Sequence, residues 1–219
     1  DSLRYMRYYY ESQCKSSKMD MIYTPVNDLT LDYEDIFKGY ESKVRNEVRR
    51  GYKEGTQCRM IEDFTAEENR KLLEELQGKY DAFCESKKLE ELKHNWNPME
   101  MEAYAAAGGI AVSEASYESG KTYHVYLKDG ESAMLWFSFP DVTLRNDENA
   151  RKQLAGWANR SLHDFDIQHF KEAGFTRYDW GNISSKDDPN GIDKFKMEFG
   201  GTVVPVYNCF IANTLTGKI

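Results

Sequence analysis

Apolar residues recur every three to four positions in some stretches of this chain and every second position in others, and the two periods separate helices from strands. From Asp32 to Glu54 the series Ile36, Phe37, Tyr40, Val44 and Val48 predicts one long amphipathic helix, stopped by Gly55. Leu72, Leu73, Leu76, Tyr80 and Phe83 place a second helix over Glu67 to Lys87. Pro98 sits at the first turn of a third, capped by Asn97 and running through Ala107 to Gly108-Gly109. Leu154, Trp157, Leu162, Phe165, Ile167 and Phe170 mark a fourth from about Leu154 to Ala173, ending at Gly174. A last short helix carries Phe195, Lys196 and Phe199 into Gly200-Gly201.

Alternating stretches predict the strands. Met19 to Thr24 reads as a strand closed by Pro25, and Thr56 to Glu62 alternates weakly. Ile110 to Tyr117, Thr122 to Leu127 and Ala133 to Phe139 follow at hairpin spacing, joined by Glu-Ser-Gly-Lys and Lys-Asp-Gly-Glu turns, the pattern of an antiparallel meander. Phe175 to Trp180 and Thr202 to Ala212 complete the set, with Pro205 hinting at a bulge or edge. Residues 1–17 are aromatic and charged without a clean period and are read as a terminal arm or helix. Pro140 to Lys152 is a polar, acidic loop. This order calls for an α/β (α+β) chain with a mixed sheet covered by helices on both faces, in one domain from residue 18 to residue 219.

The totals change that picture little. A hydrophobic content of 40% with 14% aromatic residues over 219 positions describes a globular chain with a sizeable core. A net charge of -8 counts against a protein whose affinity rests on neutralising phosphates, though a local basic site is compatible with it. Cys14, Cys58, Cys84 and Cys209 have neither metal-site spacing nor the density of a disulfide framework, which leads us to expect a reducing, cytoplasmic setting. No apolar run approaches the roughly 20 residues of a membrane helix, and no signal-peptide pattern opens the chain.

Three places offer chemistry. Lys43, Arg45, Arg49, Arg50 and Lys53 put five cations on one helix, either a solvated basic face or a contact for a phosphate-bearing ligand. Gln153-Leu-Ala-Gly156-Trp-Ala158 stands where the meander gives way to a helix; it is either plain helix packing or a helix start whose amides hold a pyrophosphate. Tyr178-Asp-Trp-Gly-Asn182 leaves a strand, with Lys194, Lys196 and Tyr207 downstream. Asp179 alternates with its apolar neighbours there, so it is either a paired structural carboxylate or a group that binds an ammonium and accepts its proton. His94, His124, His163 and His169 show no metal-binding spacing, and no nucleophile elbow or phosphate loop is present. No metal is expected, and none of the four cysteines stands in a recognisable nucleophile setting.

Three blocks in this order resemble the GNAT acyltransferase superfamily, and within it the Fem-like branch that includes the peptidoglycan bridge-forming aminoacyltransferases. Ser42 to Gly55 is similar to that branch's basic first helix, and Gly156 to His163 to the start of its central helix, with Gln153, Gly156 and Ala158 meeting the general Q/R-x-x-G-x-G/A pattern. Gly174 to Ile183, Gly191 to Lys196 and Phe199 to Gly201 resemble its Tyr-Asp-Phe-Gly-Gly-Ile and Phe-Lys-x-x-Phe-Gly ending. Asn182 replaces the second glycine of that ending, and the length suffices for one GNAT unit where the bridge-forming enzymes have two. The resemblance implies a GNAT-like, mostly antiparallel sheet with an acyl donor between strands near Phe139 and Phe175 to Trp180. Its phosphates would rest on Gln153, Gly156, Trp157, Ala158 and Asn159 with Asn182 nearby, and amides near Ser138 and Phe139 would polarise the acyl carbonyl. By position, Asp179 is the candidate base, Tyr207 the acid, and Lys196 a holder of phosphate or carboxylate. The activity so implied is N-acyl transfer from acyl-CoA, first of all acetyl-CoA, to a small-molecule amine acceptor such as an amino sugar or amino acid of envelope metabolism. One alternative is aminoacyl transfer from aminoacyl-tRNA to a peptidoglycan precursor, with Arg45 and Arg49 meeting the tRNA. The other is a binding module that kept the shell without the catalysis.

Overall fold

The computed structural model describes residues 3–9, 18–118, 120–144 and 149–212. Along the chain run β1 (Leu3–Tyr8), β2 (Lys18–Asp28), α1 (Tyr33–Gly39), α2 (Ser42–Lys53), β3 (Gln57–Ile61) and α3 (Glu67–Lys87). Then come a 3-10 turn (Glu90–Asn95), α4 (Pro98–Ala106), β4 (Ile110–Tyr117), β5 (Gly120–Lys128) and β6 (Ser132–Pro140). The chain ends with α5 (Asn149–Glu172), β7 (Arg177–Asp179), α6 (Gly191–Met197) and β8 (Thr202–Ala212). It divides into two compact units, Asp28–Tyr178 and a second made of Asp1–Asn27 with Asp179–Ile219.

In the unit Asp28–Tyr178, β3, β4, β5 and β6 pair antiparallel in sequence order, the meander that the turn residues foretold. Strand β7 is the neighbour of β6 on the far side. The Thr176 and Arg177 amides both donate to the Glu131 carbonyl, so β7 sets out beside the start of β6 and runs parallel to it. Successive side chains alternate between the faces of this sheet. Ile110, Val112, Tyr123, Val125, Phe137 and Phe139 point to one face and pack against Leu73, Leu76 and Tyr80 of α3 and Met101 of α4. Ala115 points to the other and meets Ala158 and Leu162 of α5. The register of β5 with β6 shifts between Val125 and Tyr126, so Trp136 is the extra residue of a bulge. Mixed α/β structure with helices on both faces of a mostly antiparallel sheet is thus what the chain forms.

The predicted helix over 32–54 is two helices. Tyr40 and Glu41 are extended, with ψ of 147° at both, and this breaks the ladder between Gly39 and Ser42. Ile36, Tyr40, Val44 and Val48 are nevertheless all buried, so the apolar period survives the kink. Helix α2 lies close on α5 at Gly51, where an added β-carbon would stand 2.8 Å from the Trp157 carbonyl oxygen. Helix α5 begins at Asn149, earlier than the expected start at Leu154, because Ala150 to Ala155 contains no residue that breaks a helix. The remainder of the loop expected from 140 to 152 is partly the short 3-10 turn Val142–Leu144, and residues 145–148 lie outside the described residues.

In the other unit, β8 pairs antiparallel with β1 on one side and β2 on the other. Residues 3–8, expected as an arm or helix, are therefore a strand; an irregular aromatic and charged run suits a strand whose pairing supplies what local periodicity lacks. The expectation over 10–17 falls outside the described residues. Strand β2 does not close at Pro25. Proline lacks only the donor, and the Pro25 carbonyl still accepts the Trp180 amide while Pro25 stands opposite Val203. Trp180 is fully buried, donates its indole N–H to Asn27 Oδ1 at 2.6 Å, and packs 4.6 Å from the Phe199 ring. Helix α6 opens with a capping box: the Asn190 side chain accepts from the Asp193 amide, and the Asp193 carboxylate accepts from the Asn190 amide. Among the described residues no helix is long and apolar enough to cross a membrane.

Candidate functional site

On α5, Asn159, His163, Asp166 and Phe170 are spaced four, three and four apart and so share one face. That face looks onto His124 and Tyr126, the β5 residues that alternate away from the α3 side, and onto Tyr178 of β7. All five of His124, Tyr126, His163, Asp166 and Tyr178 are 0% exposed. They form one hydrogen-bonded chain. Asn159 Oδ1 lies 3.0 Å from His124 Nε2, and His124 Nδ1 lies 2.7 Å from Asp166 Oδ2. The Tyr126 hydroxyl donates to that same carboxylate oxygen at 2.5 Å and lies 2.8 Å from the Tyr178 hydroxyl. Tyr178 in turn lies 2.8 Å from His163 Nδ1.

Burial raises both phenols well above the ordinary tyrosine range, and the Asp166 charge pushes the same way, so Tyr126 and Tyr178 stay neutral hydrogen-bonding groups. Ser113 stands opposite His124 in the β4–β5 register, and its hydroxyl and Asp166 Oδ1 are buried without a hydrogen-bond partner among the described residues. His124, His163 and Asp166 bring possible ligand atoms within 4.8 Å of one another. The two imidazoles stack, however, at 3.9 Å and 26°, so their in-plane lone pairs run side by side and do not converge on one ion. The arrangement suits a proton-sharing, positioning network that locks α5 onto β5 and β7.

A second buried acid lies one residue before Phe165 on α5. Asp164 accepts from the Tyr33 hydroxyl at 2.8 Å, from Tyr52 at 3.2 Å and from Gln168 at 2.9 Å, which ties α1 and α2 to α5. Desolvation raises its pKa, and the hydrogen bonds from Tyr33, Tyr52 and Tyr40 only partly offset that. Burial, with Asp166 and Asp164 adding to it, pushes the Cys58 thiol up to about 12, far from nucleophile chemistry.

The residues singled out from sequence fall into place around these networks. Ser138 is exposed and stands opposite His124 in the β5–β6 register, while Asn159 bonds that imidazole. Phe139 is buried on the opposite face, against Tyr80 and Trp96. Gln153 is exposed, Trp157 lies under the Arg50 guanidinium at 5.2 Å, and Ala158 is core. The helix start expected at Gly156 to Asn159 is corrected: Gly156 is the eighth residue of α5, where main-chain amides are consumed by the helix ladder. Amides outside the ladder belong to the first turn, which begins at Asn149.

Arg45 donates to the Lys38 carbonyl at 2.9 Å and also to that of Tyr40, so it staples the turn between α1 and α2. Arg49 is exposed and stacks 5.1 Å over Phe37. In the other unit, Asp179 is fully buried with both oxygens engaged: Oδ2 accepts from Tyr9 at 2.8 Å, and Oδ1 from the Gly181 amide at 2.8 Å and from Thr24. Lys196 donates to the Asn182 carbonyl at 2.7 Å, which brings these two together across the α6 approach. Tyr207 is half-buried on β8 opposite Met21.

His124, His163 and Asp166 match no metal motif, so motif spacing does not mark them. The available signal was a different one: polar residues at 159, 163 and 166 on the face that also carries Phe170.

No family model matches this sequence, and no curated protein is similar enough to it in sequence to count as a relative. Solved structures are similar in fold. FemX matches with a TM-score of 0.61 at 10% identity, covering 94% of this chain and 65% of that one. The C-terminal domain of a protein assigned as a lysylphosphatidylglycerol synthetase from Agrobacterium fabrum matches with 0.57 at 14% identity, again over 94% of this chain and 65% of that one. A conserved protein of unknown function from Bacteroides thetaiotaomicron matches with 0.52 at 10% identity, over 93% and 68%. This chain thus spans a little under two thirds of the first two structures. Identities this low speak for architecture alone, and the architecture is a GNAT-like mixed, mostly antiparallel sheet with helices on both faces.

Proposed function

We propose that this chain is the GNAT-like unit of an acyltransferase that takes an aminoacyl group from aminoacyl-tRNA and passes it to an amine or hydroxyl of an envelope precursor or lipid. The observation that carries this reading is the likeness in fold to FemX over 94% of the chain. It is supported by the second likeness, to a domain of a protein whose name states an aminoacyl lipid as product. The Fem-like order of the sequence blocks points the same way. In the reaction the acceptor nitrogen or oxygen attacks the aminoacyl ester carbon, the bond to the tRNA 3′ oxygen breaks, and the acceptor's proton is returned to that leaving oxygen. Lys43, Arg49 and Lys53 are exposed on α2 and are the cations left to meet a phosphate backbone, Arg45 being held in the α1–α2 turn and Arg50 paired with Glu54.

Transfer from acyl-CoA to a small amine is the second reading, favoured by Gln153-x-x-Gly-x-Ala. Its physical argument is weaker at Gly156, because helix-interior amides do not bind phosphates. Incubating the protein with a mixture of radiolabelled aminoacyl-tRNAs and envelope lipid extract, and separately with acetyl-CoA and an amine library, decides between them. Label passing from tRNA to a lipid or precursor fraction is expected. Turnover of acetyl-CoA with no consumption of aminoacyl-tRNA would overturn the proposal in favour of the second reading.

A further inference from the structure

Helices α3 and α4 enclose a cleft of about 780 Å³ in the unit Asp28–Tyr178, well inside the roughly 300–1,000 Å³ typical of small-molecule sites. It lies on the sheet face opposite α5, where the one candidate for transfer chemistry named above is Phe139, packed behind Trp96. Its floor is apolar and formed by core residues: Phe64, Leu73, Trp96 and Met101 are each 7% exposed or less. Small side chains at Ala103, Ala105 and Ala106 keep the α4 wall open.

The rim is charged. Arg70 and Glu74 stand one turn apart on α3, so their β-carbons are about 5–6 Å from each other on one face. Glu102 faces the cleft from α4. All three are exposed, and none forms an ion pair among the described residues, although Lys71 and Glu67 on the same helix do pair. An open apolar floor beside an uncommitted guanidinium and carboxylate is complementary to one kind of ligand. It must carry an ammonium and a carboxylate on one carbon and a large apolar group beside them.

We propose that this cleft binds an α-amino acid with a bulky apolar or aromatic side chain. Its carboxylate pairs with Arg70, its ammonium with Glu74 and Glu102, and its side chain lies on Trp96 and Phe64. Two opposite charges on one carbon match the one-turn spacing of Arg70 and Glu74, whereas a fatty acid or simple amine would leave one of them unanswered. The site does not depend on the transfer reaction proposed above, and it can stand or fall without it.

Calorimetry with the full chain tests this directly. L-Tryptophan, L-phenylalanine and L-leucine are expected to bind in decreasing order, with L-alanine and L-glutamate giving no measurable heat. N-acetyl-L-phenylalanine and L-phenylalaninamide each lose one charge and are expected to bind about tenfold more weakly or worse. Arg70→Gln should erase the preference for phenylalanine over its amide, and Glu74→Gln the preference over the N-acetyl compound; both positions are exposed, so these variants fold. Ala106→Trp should fill the cleft and abolish binding. Absence of binding by all three apolar amino acids at about 10 mM, a level beyond millimolar affinity, overturns the proposal. So does equal binding of the blocked analogues, or wild-type affinity in both charge variants.

Discussion

The imidazole rings of His124 and His163 stack with their centroids 3.9 Å apart, one contributed by β5 and the other by α5. Each ring is held at its edge by an oxygen: Asp166 Oδ2 at 2.7 Å from His124 Nδ1, and the Tyr178 hydroxyl at 2.8 Å from His163 Nδ1. The Tyr126 hydroxyl bridges those two oxygens, so a chain of three side chains, Asp166, Tyr126 and Tyr178, fixes the stack. Tyr178→Phe removes the hydroxyl between Tyr126 and His163 without changing the ring volume. Guanidinium unfolding is expected to show a loss of about 1–3 kcal/mol, and the double variant with Tyr126→Phe should lose less than the sum of the singles.

At Gly51, α2 and α5 approach closely. A β-carbon there meets the Ser161 hydroxyl and the Trp157 carbonyl oxygen, the latter at 2.8 Å, and Ser161 already donates to that carbonyl and to the Val48 carbonyl. Backbone on one side and a hydrogen-bonded hydroxyl on the other cannot move aside cheaply. Gly51→Ala should cost about 1–3 kcal/mol in the same assay although alanine is the better helix former.

Gly156 is the opposite case. A β-carbon there meets nothing within 4 Å, so Gly156→Ala should stabilise α5 by roughly 0.5–1 kcal/mol, read as a rise in Tm. Loss of transfer activity alongside that rise would show that the glycine serves a ligand.

Two carboxylates should bend the acid limb of the stability curve in opposite directions. Burial by itself would raise Glu114, but hydrogen bonds from Lys121, Arg59 and Ser116 hold it below the usual glutamate range. Its contribution is present above the unfolded value of about 4.3 and is lost as pH falls through the lower folded value. The Tm deficit of Glu114→Gln should therefore be full near neutral pH and shrink below about pH 4. Desolvation raises Asp164, so its contribution is greatest below about pH 3.9 and is lost as pH rises through the folded value. Relative to wild type, Asp164→Asn should gain Tm as pH rises over that window.

Asp179 has two possible roles that one variant separates. With Tyr9, Thr24 and the Gly181 amide all donating to it, Asp179→Asn leaves at least one donor facing an NH₂ group and should cost about 1–3 kcal/mol of stability. A general base would instead show as loss of the acid limb of the pH–rate profile at unchanged Tm.

The periodic segments were legible because their signal is local. Glu67 to Lys87 and the meander from Ile110 to Phe139 appear within a residue or two of where alternation and turn chemistry place them. Local pattern also held through the α1–α2 kink, since Ile36, Tyr40, Val44 and Val48 stay buried; the break between them depends on two extended residues that a burial period does not register. Strand β1 was missed because its partner, β8, is some two hundred residues away, and no property of residues 3–8 alone announces that pairing. The site divides in the same way. Arg45 and Asp179 could be named from sequence as charged groups in telling positions, but which atoms they face is a tertiary fact: two carbonyls of a turn for one, two hydroxyls and an amide for the other. His124 and His163, thirty-nine positions apart, meet only because β5 and α5 pack face to face. The sequence by itself determined which segments carry an apolar face. Only the folded structure decided which polar groups those faces enclose, because a buried hydrogen bond is made by the partner that packing supplies and not by the residue's neighbours in the chain.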